Sequence, residues 1–219
     1  LVAIGTIADL MPMTDENRIM VRTGLHALTA LSRVELKPLL MAQNLAGKQL
    51  STTDVGWQIT PVINAAGRLG KPQVAANMLL AADEAAARTA CEELLAMNKE
   101  RQRQGEEYWD LLGPKAIKSH SDFNGKFLFL EEPSISRGMT GVLASRFLKK
   151  YNKPCLVVAH LDNDRVTGSM RSPSDFDTRA FLSLFGDLFL DYGGHFCAGG
   201  FSMEKENLPE FKKRISQTI

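Results

Sequence analysis

The sequence predicts an α/β protein whose two halves are organised differently and joined by one long helix. Short apolar runs at residues 127–130 and 155–159 are typical of buried strands. The segment between them, residues 141–151, carries apolar residues at helical spacing, so strands and helices alternate. Residues 83–112 form the longest helical pattern, and most of its positions are polar. With 219 residues, 44% of them apolar, the chain can bury the cores of one or two domains.

In the first half, residues 1–6 are predicted to form a buried strand that ends in a loop holding Asp9. Residues 64–70 are small and polar and are predicted to form a loop. Together these elements predict α/β layers in this half too. Three helix starts follow from the chemistry of helix ends: one capped by Thr14 or Asp15, one in a capping box at Ser51, and one at Pro72.

In the second half, Gly113 and Pro114 are predicted to end the long helix, and residues 115–125 to form a domain boundary. Asp175 or Asp177 is predicted to cap a helix that runs to Leu190. The remaining predicted elements are strands at residues 127–130, 155–159, 165–170 and 196–203, and helices at residues 141–151 and 208–215.

Composition excludes several classes of protein. No apolar run approaches the roughly 18 residues that a membrane span needs, so no membrane association is expected. The three cysteines lie far apart, which argues against a zinc site or disulfide framework and favours a cytoplasmic location. A net charge of +1 neither favours nor excludes a nucleic-acid partner.

Two candidate sites lie in the first half. Asp9 follows directly after a predicted strand, where open α/β sheets place ligands and where a hard divalent cation finds oxygen. The alternative is that Asp9 only caps the turn before Pro12. Asn64 and Arg68 could contact a phosphate from their loop, or Arg68 could pair with a carboxylate and hold that loop in place.

Three further candidates lie in the second half. The glycines at 138 and 141 precede an amphipathic helix whose free amides could bind an anion, although most such helices bind nothing. Ser169 and Arg171 face the same side of an extended strand and suit a terminal phosphate, or else are ordinary exposed residues. Residues 193–200 hold four glycines around His195, a density that favours close approach of a ligand over a purely structural histidine.

The order of these motifs resembles the RecJ branch of the DHH phosphoesterases. The similar segments are Gly-Thr-Ile-Ala-Asp-Leu-Met-Pro at residues 5–12, Glu-Asn-Arg at 16–18, Asn-Ala-Ala-Gly-Arg-Leu at 64–69, Asn-Lys-Glu-Arg-Gln at 98–102, and residues 141–146, 168–172 and 193–201. The resemblance implies the C-terminal part of a DHH domain at residues 1–82, a connecting helix at 83–113, and a DHHA1 domain with a mixed sheet flanked by helices at 122–219. It spans nearly the whole sequence.

The resemblance also implies a function. Relatives hydrolyse phosphodiester bonds of single-stranded DNA from the 5′ end, in DNA repair and recombination, with two Mn²⁺ or Mg²⁺ ions. By position, Asp9 matches a metal ligand, and Asp9 and His195 match the catalytic machinery. The remaining positions match substrate-binding residues: Asn64, Arg68, Ser169, Arg171, Ser172, Gly193, Gly194 and His195. Asp9 is then expected to open onto the same cleft as Arg171 and His195, around the 5′ phosphate of the strand.

Absences and departures qualify this expectation. The upstream Asp-x-Asp and Asp-His-His motifs are missing, and there is no initiating methionine, so the sequence is expected to be an inactive piece of a larger enzyme. Val62, Gly199 and the Ser-Arg-Gly at residues 136–138 differ from the family pattern. Two alternatives therefore stay open: a phosphoesterase for short oligonucleotides or small nucleotides, and a non-catalytic nucleic-acid-binding module. The sequence does not define an oligomeric state; a monomer is the default.

Overall fold

The computed structural model describes residues 1–219, which form two compact units, Leu1–Gln102 and Arg103–Ile219. The predicted α/β class, long helix and mixed sheet are confirmed, and the sheet has five strands. No helix is both long and apolar enough to cross a membrane.

The first unit is helical throughout, so the prediction of a strand in this half is wrong. Its helices are α1 (Val2–Ala8), α2 (Asp15–Thr29), α3 (Lys37–Ala42), α4 (Thr52–Asp54), α5 (Thr60–Arg68), α6 (Pro72–Leu79) and the start of α7 (Glu84–Asp122), with a π-helical turn, Val55–Ile59, between α4 and α5. Their apolar faces enclose one core cluster.

The first segment forms α1 rather than the predicted strand. Its buried residues Ala3, Ile4 and Ile7 lie on one helical face. This face packs tightly on α2: a β-carbon added at Gly24 would lie 2.3 Å from that of Ala3. Periodicity cannot separate so short an apolar run from a strand, which explains the error.

The predicted loop at residues 64–70 is also wrong over most of its length, since α5 continues to Arg68. Pro61 lies in the first turn of α5, where proline is tolerated, instead of closing the preceding helix. Ala65 and Ala66 are fully buried in the core. Alanine is the strongest helix former, so the small residues taken as loop chemistry stabilise a helix.

Helix α7 spans 39 residues and passes through Pro114, so the predicted end at Gly113 and Pro114 is wrong. Leu112 and Ala116, on either side of the proline, are fully buried in a core cluster. Farther along, the Ser119 hydroxyl accepts a hydrogen bond of 2.8 Å from the Phe129 N–H. These contacts offset the roughly 3 kcal/mol that proline costs inside a helix.

The second unit is built on a five-stranded sheet. Its strands are β1 (Leu128–Glu131), β2 (Cys155–His160), β3 (Arg165–Arg171), β4 (Asp191–His195) and β5 (Ala198–Glu204), in the order β1-β2-β3-β5-β4. Only the β1–β2 pair is parallel. The helices are the rest of α7, α8 (Thr140–Tyr151), α9 (Thr178–Ser183) and α10 (Leu208–Thr218), with short 3-10 turns at Arg137–Met139, Gly186–Leu188 and Lys205–Asn207.

Two predictions for the end of this unit are corrected. Asp177 caps α9 as predicted, its carboxylate accepting from the Ala180 N–H, but the helix ends at Ser183 instead of Leu190. The residues that follow, including the glycines at 193 and 194, form β4, which was not predicted. Every residue of β4 is exposed, so the strand carries no apolar alternation by which it could be recognised.

The two faces of the sheet are covered unequally. One face packs against α9 and α10 through a phenylalanine-rich cluster that includes Phe127, Phe185 and Phe211. The opposite face packs against α8 and α7 through the apolar residues of β1 and β2, and α8 also contacts β3. We call β1 and β2 the covered half of this second face, and β3, β5 and β4 its open half.

Candidate functional site

The strand register places nine residues on the open half in three rows that cross β3, β5 and β4, and a further row holds only the ion pair of Arg165 and Glu204. Residues paired directly across strands point to the same face of a sheet. Ser169 pairs with Val157, which is buried against α8, so the groove residues lie on the face that α8 covers over β2. The first row is Thr167, Ser202 and Asp191; the middle row is Ser169, Gly200 and Gly193; the third row is Arg171, Ala198 and His195. Successive rows lie about 7 Å apart, two residues along a strand.

The beginning of α8 forms one wall of this open half. The hydroxyls of Thr140 and Ser169 are 2.8 Å apart and hydrogen-bonded. Arg171 reaches the same place, because a β-carbon added at Gly141 would lie 3.0 Å from its Nη2. The free amides and dipole at a helix start favour an anion, so a guanidinium, a hydroxyl and a helix start converge on one place.

A cavity of about 400 Å³ lies over the first and middle rows. Its floor includes Gly193, Gly200 and Ser202, and its wall includes Arg137 and Thr140. We call this cavity, together with the surface over the third row, the groove. Its polar lining and the glycines of its floor suit a charged ligand that lies close to the backbone.

His195 ends β4 at a tight hairpin, and backbone hydrogen bonds from the segment after β3 stabilise this hairpin. The turn residues are Phe196 and Cys197. The Ser172 N–H donates to the Cys197 carbonyl at 3.0 Å, and the Thr178 N–H donates to the Phe196 carbonyl at 2.7 Å. The backbone of His195 is therefore held at the third row, and its exposed imidazole lies on the same face as Arg171, separated from it only by Ala198.

The two glycines before His195 have different environments. Gly194 has a φ of +151°, and a β-carbon there would lie 2.3 Å from the Ala198 carbonyl oxygen. Gly193 faces the groove, with nothing within 4 Å of an added β-carbon. Gly194 is thus required by the backbone, whereas Gly193 leaves open space above the floor.

Ser172, the other predicted substrate-binding residue of this unit, lies below the groove and not in it. It is 3% exposed. Its hydroxyl donates to the Phe176 carbonyl at 2.9 Å and is 2.8 Å from the Thr178 hydroxyl. Both contacts stabilise the loop that holds the β4–β5 hairpin, so the structure gives Ser172 a positioning role.

The predicted site residues of the first unit are described separately. Asp9 is exposed at the C-terminal end of α1. Asn64 and Arg68 are one turn apart on the same face of α5. Burial, and the nearby charge of Arg68, lower the pKa of Arg101, whose guanidinium donates to the Asn98 side chain at 2.9 Å.

Nothing in the chain completes a metal site. No three His, Cys, Asp or Glu side chains lie together anywhere in residues 1–219. A divalent cation needs several protein oxygen or nitrogen ligands, so the residues present do not fit a metal pair by themselves. The role of Asp9 as a metal ligand stays a prediction.

Sequence reasoning missed two groove residues and undervalued a third. Thr140 lies in the glycine-flanked helix start that was considered a weak anion site, and its contact with Ser169 strengthens that interpretation. Arg137 was noted only as part of a departure from a family pattern. Asp191 was missed because its segment was assigned to the end of a helix; only the β4–β5 register reveals its position.

Comparison with known proteins finds relatives that match the whole chain. Residues 124–219 match the model of the DHHA1 domain. The single-stranded-DNA-specific exonuclease RecJ of Thermus thermophilus is 36% identical over 98% of this chain and 30% of its own length. RecJ of Salmonella typhimurium is 32% identical over the whole chain and 39% of its own length. The chain is thus similar to RecJ proteins over nearly its whole length, and its second unit carries the match to the DHHA1 domain.

The structural comparison covers both units. The crystal structure of RecJ in complex with Mn²⁺ from Thermus thermophilus matches with a TM-score of 0.86 and 35% identity, over 99% of this chain and 31% of that one. The Mg²⁺ complex of the same protein matches equally well. The chain thus spans about a third of the length of the RecJ proteins it matches.

Proposed function

We propose that this chain is the strand-holding part of a metal-dependent exonuclease that degrades single-stranded DNA from a phosphorylated 5′ end. The observation that carries the proposal is the convergence of Arg171, Ser169 and the start of α8 on one place in an open groove. A role in DNA repair and recombination, and a cytoplasmic location, belong to the same proposal.

Each groove residue has a distinct part in holding the strand. Arg171 donates from Nη1 to the Met170 carbonyl at 2.8 Å and has further guanidinium donors for phosphate oxygens. Ser169 donates to Thr140, whose own hydroxyl donates to the Arg137 carbonyl, and so holds the start of α8 beside Arg171. His195 contacts the nucleotide from the third row. Gly193 lets the sugar–phosphate backbone lie close to the sheet, since it has no side chain and nothing else occupies that space.

The chain's own residues support binding better than cleavage. Asp9, Asn64 and Arg68 remain candidates for the metal and substrate contacts of the first unit. Because the chain lacks a ligand set for a metal pair, we expect the 219-residue chain to bind a phosphorylated strand without hydrolysing it.

Substitution Arg171→Ala tests the proposal. Affinity of the full chain for a labelled single strand is measured by fluorescence anisotropy, with a 5′ phosphate and with a 5′ hydroxyl. Loss of a charge-assisted contact predicts roughly tenfold or more weaker binding of the phosphorylated strand, and a much smaller loss for the hydroxyl strand.

Arg179→Ala is the matched control. Arg179 is exposed on α9, so this substitution removes the same charge at a position away from the groove. The proposal is wrong if Arg171→Ala weakens both strands equally, or if Arg179→Ala has the same effect.

A second candidate function is a phosphoesterase for short oligonucleotides or small nucleotides. The observation that favours it is the compactness of the groove cavity, about 400 Å³. An activity assay separates the exonuclease from the phosphoesterase. It compares how fast the longer protein that contains this chain degrades long strands and how fast it degrades dinucleotides and trinucleotides. A preference for the short substrates would favour the phosphoesterase.

A further inference from the structure

An acidic side chain lies in the proposed phosphate groove. Asp191 is exposed in the first row and lines the cavity together with Arg137. Neither side chain takes part in an ion pair or a hydrogen bond within the chain, although both line the same cavity. A carboxylate without a structural partner is unexpected where a polyanion is expected to bind, because like charges repel.

The charges of the groove therefore change from one end to the other. The third row carries Arg171, with His195 beside it, and no acid. The first row, two rows or about 13 Å away, carries Asp191 and faces Arg137 on the wall. One end is cationic, whereas at the other end the charges of Arg137 and Asp191 cancel.

We propose that Asp191 is a specificity-determining residue that limits how many phosphates the groove accepts. The inference rests on the proposed function: with the terminal phosphate at Arg171, a strand that continues over the first row brings a further phosphate towards the Asp191 carboxylate. A short strand that ends before the first row avoids this repulsion. Asp191 thus shifts the preference of the groove towards short strands with a terminal phosphate.

The size of this effect is set by the openness of the groove. Both charges stay in contact with water and salt, so their repulsion is much weaker than in a closed interior. Replacing Asp191 by asparagine removes the repulsion and leaves Arg137 uncompensated. Affinity for a long strand should then rise roughly threefold to tenfold at low salt.

The experiment compares two 5′-phosphorylated probes, a dinucleotide and a single-stranded dodecamer, by fluorescence anisotropy with the full chain. Asp191→Asn is expected to tighten binding of the dodecamer and to leave the dinucleotide within about twofold. The salt dependence for the dodecamer should steepen by up to about 0.7 in log–log slope, the value for one additional phosphate contact on a single strand.

Two further variants make the result decisive. Asp122→Asn removes the same charge at the end of α7, beside the opposite edge of the sheet, and should change neither affinity. In an Arg137→Ala background the gain from Asp191→Asn should persist, because repulsion between the Asp191 carboxylate and a phosphate does not require Arg137. Loss of the gain in that background would overturn the account, since Asp191 would then act only by neutralising Arg137.

Failure of this inference is distinguishable from failure of the proposed function. If Arg171→Ala weakens phosphorylated probes but Asp191→Asn behaves like Asp122→Asn, the groove binds phosphate and Asp191 has no selective role. An equal gain for dinucleotide and dodecamer also overturns the inference. If Arg171→Ala has no effect on any probe, the proposed function itself is wrong.

Discussion

The covered and open halves of one sheet face show how a single surface serves two purposes. On β1 and β2 this face carries Leu130, Val157 and other apolar residues that are fully buried beneath α8. On β3, β5 and β4 it carries Arg171, His195 and other polar or small residues, whose exposure rises from β3 to the fully exposed β4. Helix α8 belongs to both, because its side packs on the covered half while its beginning forms the wall of the groove.

This difference teaches that stability and binding depend on separate residues although they share one sheet. Substitutions in the covered half should lower stability and affect binding only through unfolding. Substitutions of groove-facing residues that are not buried and have no hydrogen bond within the chain should change binding and leave the free energy of unfolding nearly unchanged.

The largest expected effect is on stability, from Phe147→Ala in α8. Phe147 is fully buried, and its ring stacks on Trp109 with centroids 4.4 Å apart. Removing a buried phenyl ring loses apolar burial and leaves a cavity, which costs about 3–5 kcal/mol. Urea denaturation followed by circular dichroism measures the change.

Ser202→Ala is the matching substitution in the open half. Ser202 lies in the first row, is only partly buried, and its side chain has no hydrogen-bond partner in the chain. The free energy of unfolding of the Ser202→Ala variant should stay within about 0.5 kcal/mol of that of the parent protein. Similar losses for Phe147→Ala and Ser202→Ala would contradict the division between the halves.

A smaller effect is expected from the two glycines before His195, which sharpen the comparison within the open half. Gly194→Ala forces an L residue to a φ of +151° and against the Ala198 carbonyl, which should cost roughly 2–4 kcal/mol. Gly193→Ala meets open space and should change stability by less than about 1 kcal/mol. Denaturation of both variants tests this pair.

Binding should show the reverse sensitivity at Gly193. A methyl group there projects into the groove, so Gly193→Ala is expected to weaken single-strand binding while the protein stays folded. If Gly193→Ala instead destabilises the chain as much as Gly194→Ala, the floor glycines have a purely structural role.

Sequence reasoning predicted the elements that carry strong local patterns. The strands β1, β2 and β3, the helix α8, the capping box at Ser51 and the cap at Asp177 all follow from short-range periodicity or hydrogen-bond chemistry. The errors arose where tertiary packing overrides local pattern. Leu112 and Ala116 keep α7 helical through Pro114, and β4 forms on the edge of β5 without any apolar residue buried in it.

The candidate site was predictable only in part, for the same reason. Ser169 and Arg171 could be placed on one side of a strand because side chains alternate with a period of two. Their meeting with Thr140, and the position of Asp191 opposite Ser202, depend on long-range pairing and register. Register is set by the folded sheet, so single-sequence patterns do not contain it.

The smallest expected effect lies at the edge of the covered half and depends on pH. Lys115 donates to Glu132 at 2.7 Å, and the N–H and hydroxyl of Ser134 add hydrogen bonds. These contacts, the one with Lys115 foremost, lower the pKa of Glu132 from 4.5 to about 2, against an opposing effect of burial. The carboxylate therefore stabilises the folded state above about pH 4.5, and that contribution is lost as the pH falls towards 2.

Glu132→Gln should remove this acid-sensitive contribution. Because Lys115 is partly exposed and water screens the pair, the loss at neutral pH should be about 1 kcal/mol. The variant and the parent should then approach equal stability in urea titrations as the pH falls from 4.5 towards 2. Glu206→Gln, which removes an exposed carboxylate without an ion pair, should follow the parent at every pH. If the free energy of unfolding of Glu132→Gln differs from that of the parent by the same amount at every pH in this range, Glu132 contributes through packing and not through its charge. The edge of the covered half would then depend on burial alone.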